Sequence, residues 1–173
     1  MFVAVTVRRP GFAGACRTAA AVLASVGLAL VVFPAGVARA QPAPAISESS
    51  LETLEISTAN GSHRFSVEVM RNDEQRARGL MHRRFMPADR GMLFDFKKEE
   101  HVSMWMKNTF IPLDMLFVDR TGKIVSIAEN TEPLSERVIP SGGPVLAVLE
   151  LNAGISRKLG IKAGDRLKHS LFK

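Results

Sequence analysis

From Leu54 onward, apolar residues recur at every second position, and short turn signals cut the alternation into pieces. Successive side chains of a strand point to opposite faces, so this period commits the chain to half-buried β-structure. Leu54 and Ile56 alternate with polar residues, Asn60-Gly61 marks a tight turn, and Phe65, Val67 and Val69 alternate again. That pattern predicts a β-hairpin. Met92, Phe94 and Phe96 share one face of a further strand, with Leu93 and Asp95 on the other. Val102, Met104 and Met106 repeat the period as a separate strand. Pro112 cannot donate to a ladder, so it marks an edge, a bulge or a strand start. Strands over residues 115–118 and 123–128 flank the turn Asp119-Arg120-Thr121-Gly122. Residues 129–143 carry prolines, glycines and mixed charges and read as a long loop. Residues 145–151 form a nearly continuous apolar run, which predicts a central strand buried on both faces. Residues 166–172 read as a closing strand.

Two short helices complete the reading. Asn72 can cap the first, with Gln75 three residues on and Gly79 at its end. Asn152 can cap the second, which ends at Gly160. The expectation for residues 51–173 is one mostly β domain, sandwich-like or a partly open barrel, with seven to eight short strands. The strand spacing argues against alternating βαβ units.

The first forty residues differ from this domain. Arg8, Arg9 and Arg17 give a positive start, and no acidic residue precedes Glu48. Residues 19–33 are uniformly small and apolar, and Ala38-Arg39-Ala40 has the small-x-small pattern of a cleavage site. Together these predict a signal peptide over residues 1–40, a flexible tether over 41–50, and a periplasmic or secreted domain. An uncleaved apolar segment would be the alternative, and the only expected contact with a membrane. Cys16 precedes the apolar run, so it cannot be the lipidated first residue of a mature lipoprotein. Arg8-Arg9 has a poor twin-arginine context.

Losing this segment changes the charge. Arg8, Arg9, Arg17 and Arg39 leave, taking four of the 23 basic residues and none of the 17 acidic ones, which leaves a net charge of +2. No concentrated basic stripe remains, so no nucleic-acid partner is expected. The single Cys leaves too, and with it any disulfide, thiolate metal site or thiol nucleophile in the mature domain.

Several runs then match a known family in order. Gly79-Leu80-Met81-His82-Arg83-Arg84 comes first, followed by Gly91-Met92-Leu93-Phe94-Asp95-Phe96. The longest is Trp105-Met106-Lys107-Asn108-Thr109-Phe110-Ile111-Pro112-Leu113-Asp114-Met115-Leu116-Phe117. Leu149-Glu150-Leu151-Asn152-Ala153-Gly154 and Leu159-Gly160-Ile161-Lys162-Ala163-Gly164-Asp165 complete the set. The chain thereby resembles the family known as domain of unknown function 192, over roughly residues 63–172. The resemblance implies a small, mostly β, sandwich-like fold and frequent export. It implies no reaction and so assigns no catalytic residue.

The residues themselves single out one region. Trp105, Lys107, Asn108 and Thr109 offer an indole, an ammonium, an amide and a hydroxyl just before the Pro112 step, where a strand can fix them and a loop expose them. Asp114 follows. Glu150 is a lone acid inside the central apolar run, and a carboxylate there must be paired, hydrogen-bonded or shifted in pKa. With Asn152, these seven residues are the candidate ligand-binding set. Three functional readings stay open. The first is a non-catalytic binding or accessory module for a small molecule or envelope partner, with no cofactor. The second is an enzyme using Glu150 and Asp114 as acid and base. The third is a Cu(I) site built on Met104, Met106 and His101, because thioether sulfur favours that ion. Against all three stands a purely structural reading, in which Lys107, Asp114, Glu150 and Asn152 form a buried network that holds loops.

Overall fold

The computed structural model describes residues 50–172. The expected signal peptide and most of the expected tether lie outside the described residues. The elements are β1 (Glu52–Thr58), β2 (Gly61–Met70), α1 (Asp73–Arg78), β3 (Arg90–Met104), β4 (Leu113–Val118), β5 (Ile124–Thr131), β6 (Ile139–Asn152), α2 (Ile155–Leu159) and β7 (Arg166–Lys168).

All seven strands join one sheet in the order β5-β4-β6-β3-β2-β1-β7. β1 and β2 form the hairpin read from Asn60-Gly61, with Thr58 opposite Gly61. β6 lies inside the sheet between β4 and β3, as its apolar run requires. The sheet curls until its two edges meet. Lys123 bridges Arg166, the Leu167 N–H donates to the Gly122 carbonyl at 2.7 Å, and the Ile124 N–H donates to the Asp165 carbonyl at 2.9 Å. Of the two expected architectures, this is the partly open barrel rather than two stacked sheets.

Curling gives the sheet an inner and an outer face, each with its own core. Leu54, Ile56, Val67, Leu93, Leu116, Leu149 and Leu167 fill the inside. Met92, Phe94, Leu113, Met115, Phe117 and Val148 cover the outside, together with Leu80, Met86 and Met106 from the loops. Alternation over residues 147–151 of β6 sends Ala147, Leu149 and Leu151 inward and Val148 outward.

Several expectations are corrected. β2 and β3 run parallel, so the chain must cross over between them, and α1 lies in that crossover. One βαβ unit is therefore present in a sheet whose strand spacing argued against such units. β3 is a single strand of 15 residues where two were expected. Its register slips between Asp95 and Glu100, where Lys97 takes a φ of 66°. The slip lets one strand bend past a local break in the alternation. Met106 lies past the end of β3. The long loop shrinks to residues 132–138, because β5 runs on to Thr131 and β6 begins at Ile139. Asn152 ends β6 and does not cap α2, whose N-cap is Gly154 at φ 81°. β7 has only three residues.

Candidate functional site

Glu150 sits near the end of β6, opposite Met92 of β3 on one side and Met115 of β4 on the other. It shares the outer face with Val148 and is only 4% exposed. Burial pushes its carboxyl up to about 8, and no cation or hydrogen-bond donor among the described residues offsets that cost. At neutral pH the group is therefore mostly protonated, and a protonated carboxyl can donate a hydrogen bond.

The side chain is not sealed in. It lines a cleft of about 230 Å³ on the outer face. Phe94, Phe96 and Met104 of β3 form one wall, and Leu80 and Met81 after α1 form another. Trp105, Lys107, Thr109, Arg76 and Arg78 line it as well. The Arg76 guanidinium lies 5.6 Å from the Phe96 ring centroid and donates to the Asp95 carbonyl at 2.7 Å. The Lys107 ammonium lies 5.5 Å from the Trp105 ring centroid and 3.4 Å from the Glu136 carboxylate. Trp105 is half exposed.

Four of the seven candidates thus converge on one cleft: Trp105, Lys107, Thr109 and Glu150. The other three do not. Asn108 is exposed at φ 56°, a conformation Asn tolerates, and its carbonyl accepts from the His82 N–H at 2.9 Å. Its amide nitrogen points to the Met81 sulfur at 3.9 Å. Asn152 donates to the Met86 and Pro87 carbonyls at 2.9 and 3.3 Å.

Asp114 pairs with Leu151, whose side chain faces inward, and so lies on the opposite side of the sheet from Glu150. Asp114 is fully buried, and its carboxylate accepts from the N–H groups of Asn130 at 2.9 Å, Gly154 at 3.2 Å and Ser156 at 2.9 Å. Asp114 and Asn152 therefore hold loops, as the structural reading expected. Glu150 and Lys107 do not join them. Asp114 and Glu150 cannot serve as acid and base on one substrate.

The copper set does not converge either. Met106 is buried, with its sulfur 3.2 Å from the Thr131 hydroxyl, and of the three residues only Met104 lines the cleft. His101 is exposed on β3, where it pairs with Pro144. Among the described residues, no three His, Cys, Asp or Glu side chains stand close enough to hold a metal ion.

Sequence reasoning missed Arg76, Met81, Phe94 and Phe96 as cleft residues. Arg76 lies on the short helix expected after Asn72, and its side chain is only 18% exposed. Phe94 and Phe96 on one strand face were legible as core, but the helix opposite them was not. A larger groove of about 640 Å³ adjoins the cleft and shares Arg78, Gly79 and Met81 with it. There the acid Glu68 is already held by Arg83 at 2.5 and 2.8 Å. The smaller cleft is the better candidate, because its acid is unspent.

The fold and site define a class: small, mostly β domains built on one curled sheet, with a cleft on its outer face. The chain belongs to the DUF192 family, described as an uncharacterized ACR, whose family model matches residues 55–169. Among solved structures, it is similar to a candidate transcription regulator from Sinorhizobium meliloti 1021, with 49% identity and a TM-score of 0.69 over 70% of this chain and 95% of that one. It is also similar to a protein of unknown function from Novosphingobium aromaticivorans DSM 12444, with 37% identity and a TM-score of 0.69 over 74% of this chain and 94% of that one. No curated protein matches.

Proposed function

We propose that this protein is a non-catalytic binding module, working outside the cytoplasm, that holds a small molecule in the Glu150 cleft. One observation carries the reading: a lone, buried, uncompensated acid lining a cleft together with aromatic and thioether side chains. An acid there is costly unless something uses it. In its neutral form it would donate to a carbonyl or carboxyl oxygen, while Arg76, Arg78 and Lys107 in the lining favour an anionic or strongly dipolar group. The ligand class is therefore a compact apolar molecule bearing an oxygen acceptor. Catalysis gains no support, because the second acid needed for the acid–base scheme faces the other side of the sheet.

The test is a thermal-shift screen against small carboxylates, lactones and amides at pH 6 and pH 9. Hits should stabilise the wild-type protein more at pH 6, where Glu150 is protonated. Glu150→Leu and Lys107→Met should each weaken such hits by about tenfold, the cost of one charge-assisted or buried hydrogen bond. Hits that bind both variants with wild-type affinity would place the ligand elsewhere and remove the reading.

A further inference from the structure

Among the described residues, five large apolar side chains are strongly exposed: Phe85 at 76%, Trp105 at 50%, Phe110 at 39%, Leu134 at 54% and Val138 at 60%. They are scattered in sequence and gathered in space. Three loops carry them, and backbone hydrogen bonds stitch the loops together. The His82 N–H donates to the Asn108 carbonyl, the Leu134 N–H to the Thr109 carbonyl, and the Met106 N–H to the Ser135 carbonyl. Met104 pairs with Ile139, which sets Trp105 beside Val138. His82 stacks obliquely near Phe110 at 6.5 Å, which brings the loop that carries Phe85 up to the Phe110 loop.

Soluble surfaces rarely gather their exposed apolar residues in one place without a use for them. Cations sit against the aromatic members of this ridge. The Arg84 guanidinium lies 5.2 Å from the Phe110 ring centroid, Lys107 lies over Trp105, and Arg137 stands exposed between Leu134 and Val138. Glu132 and Glu136 lie in the loop over residues 132–138, and Glu136 is held by Lys107. Aromatic rings flanked by Arg and Lys suit the boundary between acyl chains and phosphate headgroups.

We propose that the three-loop ridge of Phe85, Trp105, Phe110, Leu134 and Val138 docks the folded domain peripherally on an anionic lipid bilayer. No helix among the described residues is long and apolar enough to cross a membrane, so the contact is one of loop tips lying in the interface. The sequence offered a retained apolar segment as the only route to a membrane. The ridge is a second route that does not need that segment.

Trp105 is the only Trp in the chain and belongs to the ridge, so it reports directly. The experiment uses residues 43–173, which form one compact unit and correspond to solved relatives that consist almost wholly of the matched region. Vesicles of equal parts phosphatidylcholine and phosphatidylglycerol should shift Trp105 emission to the blue, and acyl-chain-brominated lipid should quench it. Phe85→Ser, and separately the pair Phe110→Ser and Leu134→Ser, should each raise the lipid concentration for half-maximal quenching by at least about tenfold, as loss of a buried aromatic does. These positions are exposed, and circular dichroism checks that the variants keep the fold. Absence of shift and quenching, or wild-type partitioning by both variants, overturns the proposal. So does a lipid-independent blue shift that rises with protein concentration alongside a dimeric mass, since the ridge would then join two copies of this chain.

Discussion

Two acids on neighbouring strands have opposite fates, and the difference is one step of alternation. Glu150 faces the outer core with no partner, and Asp114 faces inward with three N–H donors. A carboxyl whose pKa is raised on folding binds more protons when folded, so its contribution is present below the unfolded value and lost as pH rises. Stability should therefore fall between pH 5 and pH 8, by up to about 1.4 kcal/mol per pH unit. Glu150→Gln should flatten that slope, and denaturant midpoints across the range measure it; equal slopes for the two proteins would show that Glu150 is not buried as described. Asp114→Ala strands the amides of Asn130, Gly154 and Ser156 and should cost about 3 kcal/mol or more, while Asp114→Asn keeps one acceptor and should cost less. Urea unfolding separates the two, and a loss under about 1 kcal/mol for Asp114→Ala would contradict the capping role. The sequence marked Glu150 as unusual, because it interrupts an apolar run, and singled out Asp114 only as a neighbour of the polar cluster at Lys107. It could not say which face each takes, because that depends on registers between strands far apart in the chain.

At the scale of elements, the local rules worked where the partner was local. Asn72 and Gln75 form the reciprocal cap expected of α1, with the Gln75 N–H donating to the Asn72 side chain at 2.8 Å. The β1–β2 hairpin followed from Asn60-Gly61 for the same reason. The helix expected after Asn152 is shorter because that amide is drawn to carbonyls 66 and 65 residues away in sequence. No propensity rule sees such a competitor. Gly122 shows the same long reach. It holds φ 80°, and a Cβ there would lie 2.4 Å from the Leu167 carbonyl oxygen. Gly142 has a similar φ of 74°, but a Cβ there would come no nearer than 3.9 Å to the Ser126 hydroxyl. Gly142→Ala should therefore cost about 1 kcal/mol for its backbone alone, and Gly122→Ala about 2 kcal/mol more for the clash with backbone. Thermal unfolding of the two variants gives the difference, and equal losses would deny that the edges meet as described.

For the whole molecule, the sheet is well laced at its centre and thinly joined at its seam. β6 is paired with β3 along most of its length and with β4 over residues 147–152, whereas β5 and β7 touch through a single bridge and a few hydrogen bonds. Amides of Ile124 and Leu167 should exchange with solvent well before those of Val148 and Leu149, in a local opening that leaves the outer core intact. Hydrogen exchange followed residue by residue checks this order, and uniform protection would argue for a fully closed barrel. One-dimensional patterning revealed the strands and the central run, but it could not reveal that β1 would pair with β7. That pairing sets a timetable. Glu55 and Lys168 face each other although 113 residues separate them. As the chain emerges from the ribosome, β1 and β2 are made first, yet Leu54 and Ile56 wait for Leu167 before their side of the core can close. The last strand therefore acts as a latch, and a chain shortened before Arg166 would stay open and sticky however correctly the rest had paired.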